Sequence, residues 1–113
     1  MTYDELVGIA LQLPDTEEKP SYGKPRVKRA GRDMFGIGAD EGTISIGVGW
    51  SLHDRYLAEY PAVIYKTPHY VGWASFLVRL DRLDSALAKE LVDAAWEAAA
   101  PKVKKKKVRQ ESY

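Results

Sequence analysis

The residues best suited to chemistry lie in one short stretch, Thr67-Pro68-His69-Tyr70-Val71-Gly72-Trp73, which carries an imidazole and two large aromatic rings. Near neutral pH an imidazole can serve as a general base, a metal ligand or a donor to phosphate. The faces of Tyr70 and Trp73 suit stacking on unpaired bases, provided the rings stand clear of the core. Upstream, Arg26 and Lys28 are two positions apart in a strand-like run, so alternation places them on one face. At a rise of about 3.3 Å per residue, two such cations roughly match phosphate spacing. Together with Lys24 and Arg32 they form a candidate phosphate-binding set, giving affinity without sequence reading. Each feature also has a plainer explanation. The basic run can be a charged edge strand that discourages aggregation. His69 can serve only to tie down its loop, and the aromatic rings can be ordinary packing with polar tips at the surface.

Catalysis would require partners that the chain does not supply in legible form. The other histidine is His53; with Asp54 it would complete a two-histidine, one-carboxylate metal set only if His69 folded beside it. Neither G-x-S-x-G nor H-E-x-x-H occurs. There is no cysteine, which excludes disulfides, thiol catalysis and thiolate metal sites. The expectation is therefore a non-enzymatic protein with no catalytic residues, no metal and no cofactor. Two binding readings remain. The first is a nucleic-acid binder of low sequence specificity, using Lys24, Arg26, Lys28 and Arg32 with His69, Tyr70 and Trp73. The second is a small-ligand or protein-interaction domain, with a partly apolar pocket around Tyr22, His69 and Arg79 and binding insensitive to salt.

The totals bound the class. With 113 residues, 45% hydrophobic and 29% charged, the chain is one globular domain able to bury a core unaided. No apolar run approaches the length of a membrane span, and the N-terminus has no charged-then-apolar leader. A cytoplasmic monomer is the expectation. The net charge of +1 hides an asymmetry. Lys24, Arg26, Lys28, Arg29 and Arg32 form one basic cluster; Lys102, Lys104, Lys105, Lys106, Lys107 and Arg109 form another. The rest of the chain is acidic on balance, a distribution that suits a polyanion such as DNA as partner.

The elements that must hold these residues can be read in turn. Thr2-x-x-Glu5 is a capping box starting a helix at Tyr3, with Leu6, Ile9, Ala10 and Leu13 as its stripe and Pro14 as its stop. Asp15 to Ser21 reads as an acidic connector, and Tyr22-Gly23-Lys24-Pro25 as a turn. Strands are expected at 25–30, 33–39 and 43–48, the last with Ile44, Ile46 and Val48 in alternation. Gly36, Gly38, Gly47 and Gly49 leave parts of one sheet face bare, where a bend or a close approach to the backbone is expected. Ser51-x-x-Asp54 caps a short helix to about Tyr60, closed by Pro61. A hairpin of 62–66 and 75–80 flanks the aromatic loop, and Tyr65 belongs to a core-like pattern. Asp84 or Ser85 caps the last helix, whose core face is Leu87, Leu91, Ala94, Ala95 and Ala98 and which also carries the core-like Trp96; Pro101 ends it. The expected fold is α+β: a single antiparallel sheet of about five strands in the order α-β-β-β-α-β-β-α, with helices on one face. Residues 1–101 form the domain, and 102–113 a basic flexible tail.

Several of these pieces together resemble the MmcQ/YjbR family. They are Leu13-Pro14 closing the first helix, Tyr22-Gly23-x-Pro25, Phe35, Thr67-Pro68-His69-Tyr70, Leu77-Val78-Arg79-Leu80-Asp81 and Ala95-Trp96. The resemblance covers roughly residues 1–101. It implies a compact fold grouped with CyaY-like domains and a DNA-binding role argued from likeness to a double-wing module. The CyaY-like grouping also invites comparison of Asp4, Glu5, Asp15, Glu17 and Glu18 with an acidic iron-binding ridge, for which they are too few on one helical face. The chain departs from the family pattern at Lys24, where threonine is usual, and at Val27, where an aromatic is common. Both departures leave the first strand more charged, which suits phosphate contacts and counts against a pocket there.

Overall fold

The capping box forms as its residue types dictate. The Thr2 hydroxyl accepts from the Glu5 amide and the Glu5 carboxylate from the Thr2 amide, starting α1 (Tyr3–Ala10). The computed structural model describes residues 1–101; the stretch 102–113, expected to be a flexible tail, lies outside the described residues. α1 stops at Ala10 rather than running to Leu13. The Thr16 hydroxyl lies at hydrogen-bond distance from the carbonyls of Ala10 and Leu13; Ala10 also accepts from the Leu13 amide, whereas the Leu13 carbonyl is one that the ending helix leaves open. With the helix shortened, its buried face is Leu6, Val7 and Ala10, and Ile9 and Leu13 are only partly covered.

Thr16 also opens a strand where a connector was expected. β1 (Thr16–Glu18) pairs antiparallel with β2 (Arg26–Arg29), setting Thr16 opposite Arg29, Glu17 opposite Lys28 and Glu18 opposite Val27. Of its three residues only Thr16 favours a strand; Glu17 and Glu18 do not. Pairing an acidic residue across from a basic one supplies what propensity does not. β3 (Arg32–Ile37), β4 (Thr43–Gly47), α2 (Trp50–Glu59), β5 (Ile64–Tyr65), β6 (Ser75–Arg79) and α3 (Ser85–Ala98) follow. Among the described residues the sheet is single and wholly antiparallel, six strands in the order β1-β2-β3-β4-β6-β5. The class is α+β as expected, with one strand more at the edge.

The core lies between this sheet and the helices. Phe35, Ile46 and Phe76 stand in one row across β3, β4 and β6, fully buried with Ile44, Val78 and Val27. α3 covers them with Leu87, Ala88, Leu91, Val92 and Ala95, and α1 packs alongside α3. The α3 N-cap is Asp84, whose carboxylate accepts from the Leu87 amide. α2 begins without a side-chain cap; its N-cap is Gly49, at φ +83°, instead of Ser51. The chain must turn sharply from β4 into α2 there, with the Ala98 methyl close by, and glycine alone adopts that backbone cheaply.

The opposite sheet face is less bare than its glycines suggest. A side chain at Gly36 would strike the Arg26 guanidinium and the Pro25 carbonyl, and one at Gly38 would strike Thr43 and Leu77. The close approach expected at these glycines is thus made by the protein's own side chains. Leu77 is fully buried on this face, opposite Ser45 and Tyr65, apart from the main core.

Candidate functional site

The β2 cations are largely engaged. Pairing between β2 and β3 shifts register between Val27 and Lys28, so Val27 faces Phe35, Lys28 faces Asp33 and Met34 is left over. The shift lets Met34 and Phe35 both enter the core and brings Asp33 to Arg26. Arg26 grips that carboxylate with two bonds, Nε to Oδ1 at 2.6 Å and Nη2 to Oδ2 at 2.5 Å. Lys28 donates to the Ser21 hydroxyl at 2.8 Å and lies between Glu17 and Asp33 in register. Lys24 and Arg32 are exposed and make no ion pair among the described residues. Arg29 leaves this face altogether. Its guanidinium stacks 3.5 Å from the Trp96 ring centre and donates to the Trp96 carbonyl.

The aromatic loop is built by a different set of residues from those its sequence advertises. Pro68–Tyr70 form one 3-10 turn; the Tyr70, Val71 and Trp73 amides donate to Thr67, Pro68 and Tyr70 carbonyls. Lys66 anchors the far end: its ammonium donates to the Trp73 carbonyl at 2.8 Å and to His53 Nε2 at 2.9 Å. His69 has no hydrogen bond from its ring among the described residues, so it does not tie down the loop. It stands edge-on to Tyr70, ring centres 5.6 Å apart. His69, Tyr70, Trp73 and Ser75 line a cavity of about 300 Å³. Trp73 is 67% exposed, and Val71 and Trp50 are exposed as well.

Lys66 and Trp50 were not singled out in the sequence, and His53 was singled out only as a metal ligand together with Asp54 and His69. His53 is buried in α2 with Nδ1 2.8 Å from Asp54 Oδ1, its ring stacked on Phe76 and edge-on to Trp50. A histidine next to an aspartate in an amphipathic helix was the available signal. Nothing local pointed to Lys66 as its partner.

The pocket expected from Tyr22, His69 and Arg79 does not assemble from those three. Tyr22 is wholly exposed in the turn bridging Ser21 and Lys24, its backbone at φ +52°. Arg79 lies 4.2 Å from the centre of the Tyr65 ring, rather than pairing with Asp81. It lines a separate, mixed-charge cavity of about 850 Å³ that includes Asp40, Thr43 and Arg82. The Tyr65 hydroxyl donates to Asp40, and this bond, with burial and the carboxylate charge, pushes its pKa above the usual tyrosine value; Arg79 opposes the shift. His53 and Asp54 meet, but no cluster of three or more metal-binding side chains occurs among the described residues, acidic α1 and β1 residues included. Among those residues no helix is long and apolar enough to cross a membrane.

Among the described residues, three helices on one face of a six-stranded antiparallel sheet, with an aromatic loop folded at the β5–β6 connection, define a small α+β scaffold. The chain belongs to the YjbR family, whose profile matches residues 11–98. Two uncharacterized mycobacterial proteins, Rv2570 of Mycobacterium tuberculosis and Mb2600 of Mycobacterium bovis, are each 39% identical over 117 residues. In each case the match covers 89% of this chain and 90% of the relative. No solved structure matches significantly.

Proposed function

We propose that this protein is a non-enzymatic, cytoplasmic DNA-binding protein of low sequence specificity that acts as a monomer and takes unpaired strands. The observation that carries the reading is the anchored loop. It presents a two-thirds exposed Trp73 with His69 and Tyr70 around one cavity. A base face can stack on such a ring regardless of base identity. Phosphate contacts then fall to the exposed Lys24 and Arg32 and, beyond the described residues, to the lysine-rich stretch. Arg26 and Lys28, already satisfied, contribute little.

Titration of the chain with fluorescent single- and double-stranded DNA at two salt concentrations tests this. The expected result is salt-sensitive binding that prefers single strands, weakened by Trp73→Ala by about 1–3 kcal/mol and barely changed by Arg26→Ala. Absence of binding at low salt would sink the reading. A second reading is favoured by the cavity itself: a small flat ligand seated between Tyr70 and Trp73. It predicts binding insensitive to salt and lost in Trp73→Ala.

A further inference from the structure

The anchoring of the aromatic loop passes through one buried imidazole. Lys66 holds the Trp73 carbonyl, and His53 Nε2 holds Lys66. An ammonium has only donors, so His53 Nε2 is an acceptor and the ring proton lies on Nδ1, donated to Asp54. This bonding requires His53 to be neutral. A proton on Nε2 would replace the acceptor with a donor and set two cations against each other at hydrogen-bond distance.

The groups around the ring decide what gives way. The charged groups facing it are Asp54, from α2 itself, and Lys66, from the β5–β6 connection. The rings packed against it, Trp50 and β6 Phe76, carry no charge. Glu59 is taken up by Arg55, and α3 Glu90 accepts from Tyr56. Asp54 favours a charged imidazole, and its side chain is 91% exposed, already solvated. Lys66 opposes it and has a flexible four-carbon stem that can leave. The contact that breaks on protonation is therefore Lys66–His53, and the Trp73 tether goes with it.

We propose that His53 is a pH-operated latch for the 67–73 loop: neutral, it seats Lys66 and holds the loop; protonated, it ejects Lys66 and frees the Trp73 end. As regulation of DNA binding this rests on the function proposed above, but the latch is read without any ligand. Histidine is the side chain that ordinarily changes charge between about pH 5 and 8.

Amide hydrogen exchange of the full chain at pH 8 and pH 5, corrected for intrinsic rates, tests it. Protection of the Val71 and Trp73 amides is expected to fall about tenfold at pH 5, the scale of one lost charge-assisted bond. β4 amides keep theirs. The fall should persist in His69→Gln, which removes the loop's own titrating ring. In Lys66→Met the same amides should be weakly protected at both pH values, and in His53→Gln their protection should not change with pH. Equal wild-type protection at both pH values overturns the latch, as does a fall that survives in His53→Gln. If that variant does not fold, a tenfold fall surviving in Lys66→Met overturns it equally. Oligothymidine titration of the wild-type chain, with His53→Gln beside it, separates the two ideas. Affinity lost at pH 5 in step with exchange supports the latch as regulator of the DNA site. No binding at pH 8 removes the DNA reading and leaves the exchange result to decide the latch.

Discussion

At the scale of single residues, two positions translate geometry directly into measurable stability. A methyl group at Gly38 has nowhere to go: Thr43 and Leu77 crowd it from the side and the Ile44 backbone lies 3.2 Å away. Gly38→Ala is expected to destabilise by about 1–3 kcal/mol, through overpacking, seen as a lower urea midpoint with unchanged slope. The second position is Tyr65. Its pKa is raised by the hydrogen bond it gives Asp40; Tyr56 is raised by burial and by Glu90, and Tyr3 by burial. A raised tyrosine pKa means the folded state favours the neutral form. That stability is fully present below the unfolded value of about 10 and is lost as pH rises toward the higher folded value. Unfolding measured at pH 8, 9.5 and 10.5 should show stability falling, with a shallower fall in Tyr65→Phe. An equal slope in the variant would mean the Asp40 bond does not matter in solution.

At the scale of elements, Arg29 and Trp96 join three parts of the fold. Arg29 comes from β2 and stacks under a ring on α3. The Trp96 indole in turn donates to the Pro14 carbonyl beyond α1, at 2.9 Å. Arg29→Ala is expected to cost about 1–3 kcal/mol. Arg29→Lys should restore little, because an ammonium neither stacks flat nor spans the same donors. A lysine variant as stable as the wild type would show that charge alone matters there. The sequence announced much of this framework. The capping box, the Ile44–Ile46–Val48 alternation, the Asp84 cap and the α3 stripe are local patterns, and local patterns survive into the fold. β1 was hidden because Thr16, Glu17 and Glu18 become a strand only through β2 partners nine to thirteen residues further along the chain. The same is true of the site. The loop's rings were visible in one heptapeptide, whereas its anchor pairs Lys66 with a histidine thirteen positions upstream that carries no mark of its purpose. Arg26 and Lys28 looked free because Asp33 reaches Arg26 only after a register shift that no spacing rule reveals.

At the scale of the whole molecule, most cations among the described residues already have a hydrogen-bonding, ionic or aromatic partner, and Lys19, Lys24, Arg32 and Arg82 are exposed without one. A polyanion would therefore meet a few scattered contacts on the folded part rather than a continuous basic stripe. Removing residues 102–113 is expected to reduce the dependence of DNA affinity on salt more than Lys24→Ala and Arg32→Ala together, since each phosphate contact contributes about 0.7 to the logarithmic slope for single strands. A slope unchanged by the truncation would place all phosphate contacts on the domain. The two rims of the sheet carry a different consequence. One rim is three residues of β1 with Glu17 and Glu18 exposed; the other is the two-residue β5. Neither is long or apolar enough to recruit a seventh strand from another molecule. Concentrated stocks of the folded protein should therefore stay clear on storage, and any fibrillar deposit would have to begin from chains that have already lost this sheet.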